Sequence, residues 1–361
     1  MITKAILTGG GHATRLRPIT TTINKHLIPL ANKPMIFHAI EKVVKAGVKD
    51  IFINTNPGET ELQKVVGDGS RWGINITYFE QTGGPQGIAH VVNVAHQFIG
   101  DDPFMFYLSD NIILSDLNNL VDKFEKENCD CMLALSKVQD PERFGVPYFD
   151  ENGKLVDIVE KPENPPNDFA VTGIYLYGPK LFFEVFKNIK KSHRGEYEIS
   201  DLHSYLLKNN FNVGYQEITG WWKDTGKPND LIKASALLMD QLSDDFFQIE
   251  GSSFDDSAKW ENRVFIGKNS VVGENVVITG PVIIGQNCKM ENCIIGPYTT
   301  IGDNSSISKA DISNSLVFSD CNINCDIKIS NSILGKNAQI IKKDQSNGHK
   351  LIIGDSTLVE M

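Results

Sequence analysis

Arg15, Lys25, Asp110, Lys161 and Asp224 each stand just behind a strand, loop or turn signal within residues 1–240. Arg15 lies in Thr8-Gly9-Gly10-Gly11-His12-Ala13-Thr14-Arg15-Leu16-Arg17-Pro18-Ile19-Thr20, where the apolar run Ala5–Leu7 ends in three glycines and two arginines follow. Glycine lets the backbone approach a ligand closely, and its N–H groups can point at a phosphate. Arg15 and Arg17 add fixed charge with the fork geometry that suits phosphoryl oxygens. That is the chemistry of a nucleoside triphosphate cradle. Taken alone, a Gly-rich turn after a strand is more often just a tight turn. This one is neither GxxxxGK[ST] nor a GxGxxG that opens a helix. The Arg-x-Arg-Pro behind it and the residues downstream raise the phosphate reading.

Asp110 follows the apolar run Phe104–Leu108. Ligands of open α/β sheets bind outside the carboxyl ends of strands, and a carboxylate there can hold Mg²⁺ against phosphate oxygens. Its bland alternative is a turn or N-cap aspartate. Asp224, in Gly220-Trp221-Trp222-Lys223-Asp224-Thr225-Gly226, is either a second carboxylate for the same ion or the neighbour of two core tryptophans. Lys161 closes the strand-like run Leu155–Val159 and offers a compact charge for a monophosphate. Lys161 and Lys25 share one alternative, that of exposed turn lysines. In Gln81-Thr82-Gly83-Gly84-Pro85-Gln86-Gly87, an amide side chain and a close backbone can read a pyrimidine edge, or the stretch is only a Gly/Pro loop. Together these residues suggest two phosphate-bearing ligands meeting at one carboxylate-bound metal, as transfer of a nucleotidyl group to a phosphate acceptor requires.

The elements that must carry them alternate. Ala5–Leu7, Asp50–Asn54, Ile74–Glu80, Phe104–Leu108 and Cys131–Val138 read as strands. Pro34–Ala46, Glu59–Val66, Gln86–Phe98 and Ser115–Glu127 read as helices between them. This order predicts a Rossmann-like, mostly parallel sheet with helices on both faces. Character changes after the helical stretch Pro228–Leu242. From Val264 an aliphatic residue, a glycine and four mostly polar residues recur, at Ile266-Gly267, Val272-Gly273, Ile284-Gly285, Ile295-Gly296, Ile301-Gly302 and Leu334-Gly335. Three such hexads make one triangular coil, so residues 241–361 read as a left-handed parallel β-helix behind a catalytic domain of residues 1–240. Glycine is expected to open the corners. Residues 303–332 drift from the strict period, through Ile307, Ile312, Val317, Ile323 and Ile329, and are expected to carry irregular turns.

Composition bounds the rest. The length of 361 residues exceeds one ordinary core, and 41% hydrophobic with 22% charged residues is ordinary for a globular protein. A net charge of −10 argues against a nucleic-acid-binding surface. Six cysteines without a CxxC pair or a neighbouring His cluster read as free thiols in a reducing cytoplasm rather than as a zinc site. No apolar run approaches membrane-spanning length.

The motifs have a family. Residues 1–240 resemble the sugar-nucleotide pyrophosphorylases, and the whole chain resembles their long-form glucose-1-phosphate thymidylyltransferases. The signature GGxGTRLRPLT stands here as Gly10 to Thr20, KxLLP as Lys25 to Pro29, and KPM as Lys33-Pro34-Met35. Val66 to Gly73, Tyr107-Leu108-Ser109-Asp110-Asn111, Phe144-Gly145-Val146, Glu160-Lys161-Pro162, Arg194 to Asp201 and Trp222 to Pro228 also fit. The resemblance implies that Gly10 and Gly11 contact the nucleotide, Arg15 neutralises the triphosphate and Lys25 steadies the phosphates. It implies that Gln81 and Gly87 read the pyrimidine, and that Asp110 and Asp224 hold Mg²⁺. Gly145, Glu160 and Val171 would line the sugar site and Lys161 would bind the sugar phosphate. Its substrates would be dTTP, or UTP, and a hexose-1-phosphate, and the protein would be a homo-oligomer. Two positions depart from the pattern: Ala13 and Ser109 replace glycines. If position 13 needs a positive φ, Ala13 is strained by roughly 1 kcal/mol. The β-helix contains no His between Lys259 and Gly348, which speaks against acyl transfer, while His349 falls in the terminal segment.

Overall fold

The computed structural model describes residues 1–81, 84, 86–218, 222–342 and 356–360. To residue 224, the strands are β1 (Lys4–Thr8), the short β2 (Pro29–Leu30) and β3 (Lys33–Pro34), β4 (Asp50–Thr55), β5 (Asn75–Glu80), β6 (Phe104–Tyr107) and β7 (Asn111–Ile113). They continue with β8 (Cys131–Lys137), β9 (Gly145–Phe149), β10 (Leu155–Glu160), β11 (Phe169–Tyr177), β12 (Val213–Glu217) and β13 (Trp222–Asp224). The helices are α1 (Met35–Lys45), α2 (Glu61–Val66), α3 (Ile88–Val94), α4 (His96–Ile99), α5 (Asn118–Lys126), α6 (Leu181–Phe186), α7 (Ile199–Lys208) and α8 (Pro228–Gln241).

Contacts group the chain into two compact units, one of Met1–His12 and Ile36–Asp224, the other of Ala13–Met35 and Thr225–Met361. The grouping differs from a single cut after residue 240, because Ala13–Met35 and α8 go with the repeats. Within that second unit the Ala31 N–H donates to Ser235 Oγ of α8 at 2.9 Å. The Asn32 amide donates to the Ile301 carbonyl at 2.8 Å.

The first unit is built on a seven-stranded sheet in the order β12-β8-β11-β6-β1-β4-β5. β6, β1, β4 and β5 run parallel, and β11 alone is antiparallel to its two neighbours. A continuous apolar run marks a strand covered on both faces: every residue of β6 is buried. α1 forms because Met35, Ile36, Ala39, Ile40 and Val43 recur at helical spacing, and all are buried. It stops where Gly47 takes φ +97° and Val48 N–H returns to the Val43 carbonyl. The expected helix over Gln86–Phe98 is instead α3 and α4, which meet at Ala95. Its start is delayed because Gly87 has φ +91°, a conformation a helix cannot contain.

Behind β11, His203 of α7 is fully buried, and its Nε2 lies 2.8 Å from the Tyr177 hydroxyl. Its Nδ1 has no partner among the described residues. Burial pulls this imidazole from 6.5 down to about 3. The unfolded ring takes its proton near its ordinary value, whereas the folded ring resists until about 3. This contribution is therefore complete above the ordinary value and is lost as pH falls between the two, at about 1.4 kcal/mol per pH unit. His203→Gln should flatten the fall of urea stability between about pH 6 and pH 4 by roughly that slope. An unchanged slope would assign the acid sensitivity to other groups.

The second unit contains the repeats as a parallel β-helix with three faces. Ser253–Phe254, Val271–Val272 and Lys289–Glu291 start the first face. Lys259–Glu261, Val277–Thr279 and Ile294–Ile295 start the second. Val264–Ile266, Val282–Ile284 and Thr299–Ile301 start the third. The aliphatic hexad residues stack inward: Ile266, Val272, Ile284, Ile295, Ile301 and Leu334 all belong to one buried core. So do Ile307, Ile312, Val317, Ile323 and Ile329, so the drifting stretch continues the coil. Its period slips because strands Ser306–Ser313 and Asn322–Ser330 run through a corner, with a register shift between Ser308 and Ala310. This replaces the irregular turns expected there. Glycine's role also differs from the expectation. A Cβ on Gly267, Gly285 or Gly302 would lie 2.7, 2.2 or 2.5 Å from the next coil, so these glycines permit close stacking. The left-handed corner falls to the residue two positions on: Asn269, Asn275, Asn287, Tyr298, Asn304 and Asn337 all have φ between 55° and 62°. Asn269, Asn287, Asn304 and Asp320 then hydrogen-bond in a ladder along one edge.

All six cysteines are free. Among the described residues, no helix is long and apolar enough to cross a membrane.

Candidate active site

Because β1, β4, β5 and β6 are parallel, the segments that follow them leave the sheet at one edge. Gly9–Gly11 follow β1, Asn56 follows β4, Gln81 follows β5 and Asp110 follows β6. The register pairs Thr8 with Asn54, and Gln81 N–H donates to the Thr55 carbonyl at 3.2 Å. Two asparagines that sequence reasoning missed shape the glycine loop. Asn54 Oδ1 accepts from Gly9 N–H at 3.1 Å, and Asn56 Oδ1 accepts from Gly11 N–H at 2.8 Å. A Cβ on Gly10 would lie 2.9 Å from Asn54 Nδ2. Glycine avoids that crowding and lets the loop run close to the end of β4. An asparagine ending an apolar strand was the only available signal, and it is indistinguishable from a turn residue.

Ser109 fits where the family has glycine. It is fully buried, its hydroxyl donates to the Thr8 carbonyl, and its N–H donates to Thr8 Oγ1 at 3.0 Å. The substitution ties the end of β6 to the end of β1. Burial first, and the Asp110 charge second, push the Tyr107 phenol well above its usual value. The phenol stays protonated and donates to the Asn111 carbonyl at 2.8 Å.

Asn111, also missed, braces Asp110 and the strands around it. Its amide donates to Asp110 Oδ1 at 2.9 Å. Its Oδ1 accepts from Trp222 Nε1 at 2.8 Å and from Gly173 N–H at 3.1 Å. β13 pairs antiparallel with β7 and sets Asp224 opposite Asn111, so the two aspartates, 114 positions apart in sequence, become neighbours. Trp222 is a core anchor, with its ring edge against Phe144 at 5.1 Å. Trp221 and Gly220 lie outside the described residues, as do Thr82, Gly83 and Pro85 of the glutamine loop. Among the described residues no group of three or more His, Cys, Asp or Glu gathers for a metal.

The sugar-site candidates also converge. β9 and β10 pair Gly145 with Glu160, and a Cβ on Gly145 would lie 3.5 Å from Glu160 Oε2 and 3.9 Å from Val171 Cβ. Lys161 is left-handed at φ 47°, and its Nζ meets Glu160 Oε1 at 3.0 Å. A non-glycine residue held in that conformation is backbone strain at a candidate ligand position. Ser200 Oγ donates to Glu160 Oε2 at 3.2 Å, fixing the second oxygen. Arg194 grips Glu198 with two parallel bonds of 3.0 and 2.9 Å, which anchors the segment that delivers Ser200.

The same segment seats Gly87. Tyr197 N–H donates to the Gln86 carbonyl at 2.8 Å, and a Cβ on Gly87 would lie 2.5 Å from the Tyr197 carbonyl oxygen. Gly87→Ala adds that clash to a left-handed strain, and should cost about 2–3 kcal/mol and raise the nucleotide KM. Urea melts and initial rates would check it; stability within about 0.5 kcal/mol of wild type would mean the loop moves aside.

Arg15 and Lys25 belong to the second unit and are described within it. Arg15 is exposed in the 3₁₀ turn Thr14–Leu16. Ala13 precedes it at φ 42°, so the strain expected of an alanine there is present. Ala13→Gly should therefore stabilise the fold by roughly 1 kcal/mol, read as a higher urea midpoint. Lys25 is buried at 9% exposure in the turn Lys25–Leu27, unlike the exposed turn lysine that is the usual alternative.

Residues 4–241 match the family described as Nucleotidyl transferase, and residues 278–360 match the GMPPB C-terminal domain. The chain is 35% identical to a glucose-1-phosphate thymidylyltransferase of Streptomyces antibioticus over 360 residues, 99% of each chain. A Bacillus anthracis candidate glucose-1-phosphate thymidylyltransferase, solved with a sucrose, superposes with a TM-score of 0.62 at 38% identity, over 67% of this chain and 97% of that one. A UDP-glucose pyrophosphorylase complexed with UDP-glucose superposes with a TM-score of 0.58 at 25% identity, over 67% of this chain and all of that one. This chain belongs to the nucleotidyl transferase family and is a sugar-1-phosphate nucleotidyltransferase.

Proposed function

We propose that this protein transfers the thymidylyl group of dTTP to glucose-1-phosphate, giving dTDP-glucose and pyrophosphate. The observation that carries the reading is the convergence at one sheet edge of the glycine loop, Gln81 and the neighbouring Asp110 and Asp224. Full-length similarity to a glucose-1-phosphate thymidylyltransferase supports the substrates. A phosphate oxygen of the sugar phosphate attacks the α-phosphorus in line, the bond to the bridging oxygen breaks, and pyrophosphate leaves with both electrons of that bond. Positioning and charge neutralisation supply the rate, and no protein nucleophile is required.

In this reading Gly10 and Gly11 hold the nucleotide by backbone, and Gln81 and Gly87 read the pyrimidine. Arg15 neutralises the triphosphate and Lys25 steadies the phosphates. Gly145, Glu160 and Val171 form the sugar site, with Lys161 on its phosphate. Asp110 and Asp224 would hold Mg²⁺. Two hard oxygen donors suit an ion that takes its other ligands from phosphates and water. When bound, the ion would neutralise charge on the transferring phosphate.

UTP is the second reading, favoured by the likeness to a UDP-glucose pyrophosphorylase. One methyl in a pocket discriminates by only about 1–3 kcal/mol. Pyrophosphate release with Mg²⁺ should be measured for dTTP, UTP, CTP, ATP and GTP against glucose-, galactose-, mannose- and N-acetylglucosamine-1-phosphate. The proposal requires the highest kcat/KM for dTTP with glucose-1-phosphate. A higher value for UTP would replace it with the second reading, and silence across the grid would refute both.

A further inference from the structure

The hairpin β2–β3 is too short to hold its own place, because an isolated two-stranded hairpin is marginal even at greater length. Its turn residues, Ala31 and Asn32, are both left-handed, with φ of 47° and 60°, as a two-residue hairpin turn requires. Each is fastened to a different neighbour. The Ala31 N–H donates to Ser235 Oγ of α8, and the Asn32 amide donates to the Ile301 carbonyl at 2.8 Å. Ile301 ends a strand of the third β-helix face, and its carbonyl already accepts from Gly285 N–H at 2.8 Å in the coil ladder. The second lone pair of that oxygen goes to Asn32. Ile283 of the β-helix and Met239 of α8 pack with Ala31. α8 is itself tied to the β-helix: Arg263 donates to the Met239 carbonyl at 3.0 Å, and the Tyr298 hydroxyl donates to Asp240 Oδ1 at 3.2 Å.

From this tip a run of hydrogen bonds leads back to Lys25. Leu30 pairs with Lys33 and Pro29 with Pro34, and the Met35 N–H donates to the Ile28 carbonyl at 3.0 Å. The Ile28 N–H donates to the Lys25 carbonyl at 3.1 Å and closes the turn that holds Lys25. Ile28 and Leu30 are fully buried and Lys25 nearly so, and no residue along the path is exposed. A packed, hydrogen-bonded path of this kind transmits position, and a misplacement of about 1 Å at a catalytic group can cost about 10²-fold in rate. We propose that Asn32 is a positioning residue for the transfer reaction, through which the β-helix sets the place of Lys25, a role that rests on the phosphate-steadying function proposed for that lysine. The β-helix thereby supports the chemistry of a segment far from it in sequence.

A double-mutant cycle on the full-length protein tests this, with kcat and both KM values measured on the substrate pair of highest rate. Asn32→Gly keeps the left-handed turn and removes the amide, whereas Asn32→Asp keeps the shape and has no N–H to donate. Each should lower kcat about tenfold and change neither KM by more than about twofold. In a Lys25→Met background, itself slow, Asn32→Gly should have little further effect, because the group it positions is gone. Loss of folded protein would instead slow both backgrounds equally. Asn304→Gly removes ladder bonds from the same β-helix, keeps its own left-handed corner and should leave kcat unchanged. Wild-type kcat in both Asn32 variants, with Lys25→Met slow, would overturn the positioning role and leave that of Lys25 standing. Equal slowing by Asn32→Gly in both backgrounds, or an Asn304→Gly variant as slow as Asn32→Gly, would overturn it as well. Wild-type kcat in Lys25→Met would refute the role of Lys25 itself, and the positioning role with it.

Discussion

Asp110→Asn is expected to leave the fold intact and to lower turnover by about 10²-fold or more. The two side chains have the same shape, and the Asn111 amide that donates to Asp110 Oδ1 can donate equally to an amide oxygen. What disappears is the negative charge at the end of β6. A neutral amide binds Mg²⁺ poorly, and saturating metal would recover only part of the rate. Initial rates across a Mg²⁺ titration, together with a urea melt, separate loss of function from loss of fold. A near-wild-type rate with an unchanged metal midpoint would remove Asp110 from the metal site and leave Asp224 to be tested alone.

Asn111→Ala should act on stability and rate together. Asn111 is 3% exposed, and its side chain satisfies the Trp222 indole N–H, the Gly173 N–H and one oxygen of Asp110. Alanine leaves two buried donors without an acceptor, at about 1–3 kcal/mol each, so a loss of roughly 2–5 kcal/mol is expected. The Trp222 bond ties β7 to β13 alongside their backbone ladder, so the placement of Asp110 and Asp224 loosens and the rate should fall about tenfold or more. Asn111→Asp supplies a useful contrast. It retains acceptors for the indole and the backbone but sets a second carboxylate beside Asp110. It should therefore be more stable than the alanine variant and still slow. An alanine variant within about 0.5 kcal/mol of wild type would show that the indole finds another acceptor.

The parallel core was legible because β1, β4, β6 and β8 carry short apolar runs and β5 alternates apolar with polar residues, with amphipathic helices between them. β11 was not anticipated, although it sits centrally in the same sheet. Antiparallel insertion between β6 and β8 depends on pairing over long sequence separations, which local periodicity does not record. The hexad core was legible to the residue, whereas the division of labour between Gly285 and Asn287 was not. A glycine that admits the next coil and one that turns a corner look alike in sequence, and only φ and the distance to the neighbouring coil distinguish them.

The glycine loop, Asp110, Lys161 and Asp224 could be named as candidates from their neighbours in sequence. Asn54, Asn56, Asn111 and Ser200 could not, because each works through a partner remote in sequence. Ser200 reaches Glu160 across 40 positions, and Trp222 reaches Asn111 across 111. By itself, then, the sequence determined the kinds of element, the repeat and the charged and glycine residues able to handle phosphates, since periodicity and side-chain chemistry are local properties. Only the tertiary structure decided that Asp110 and Asp224 are neighbours and that Gly145, Glu160 and Val171 lie side by side. Those relations are set by strand register, which couples residues through space and leaves no periodic trace along the chain.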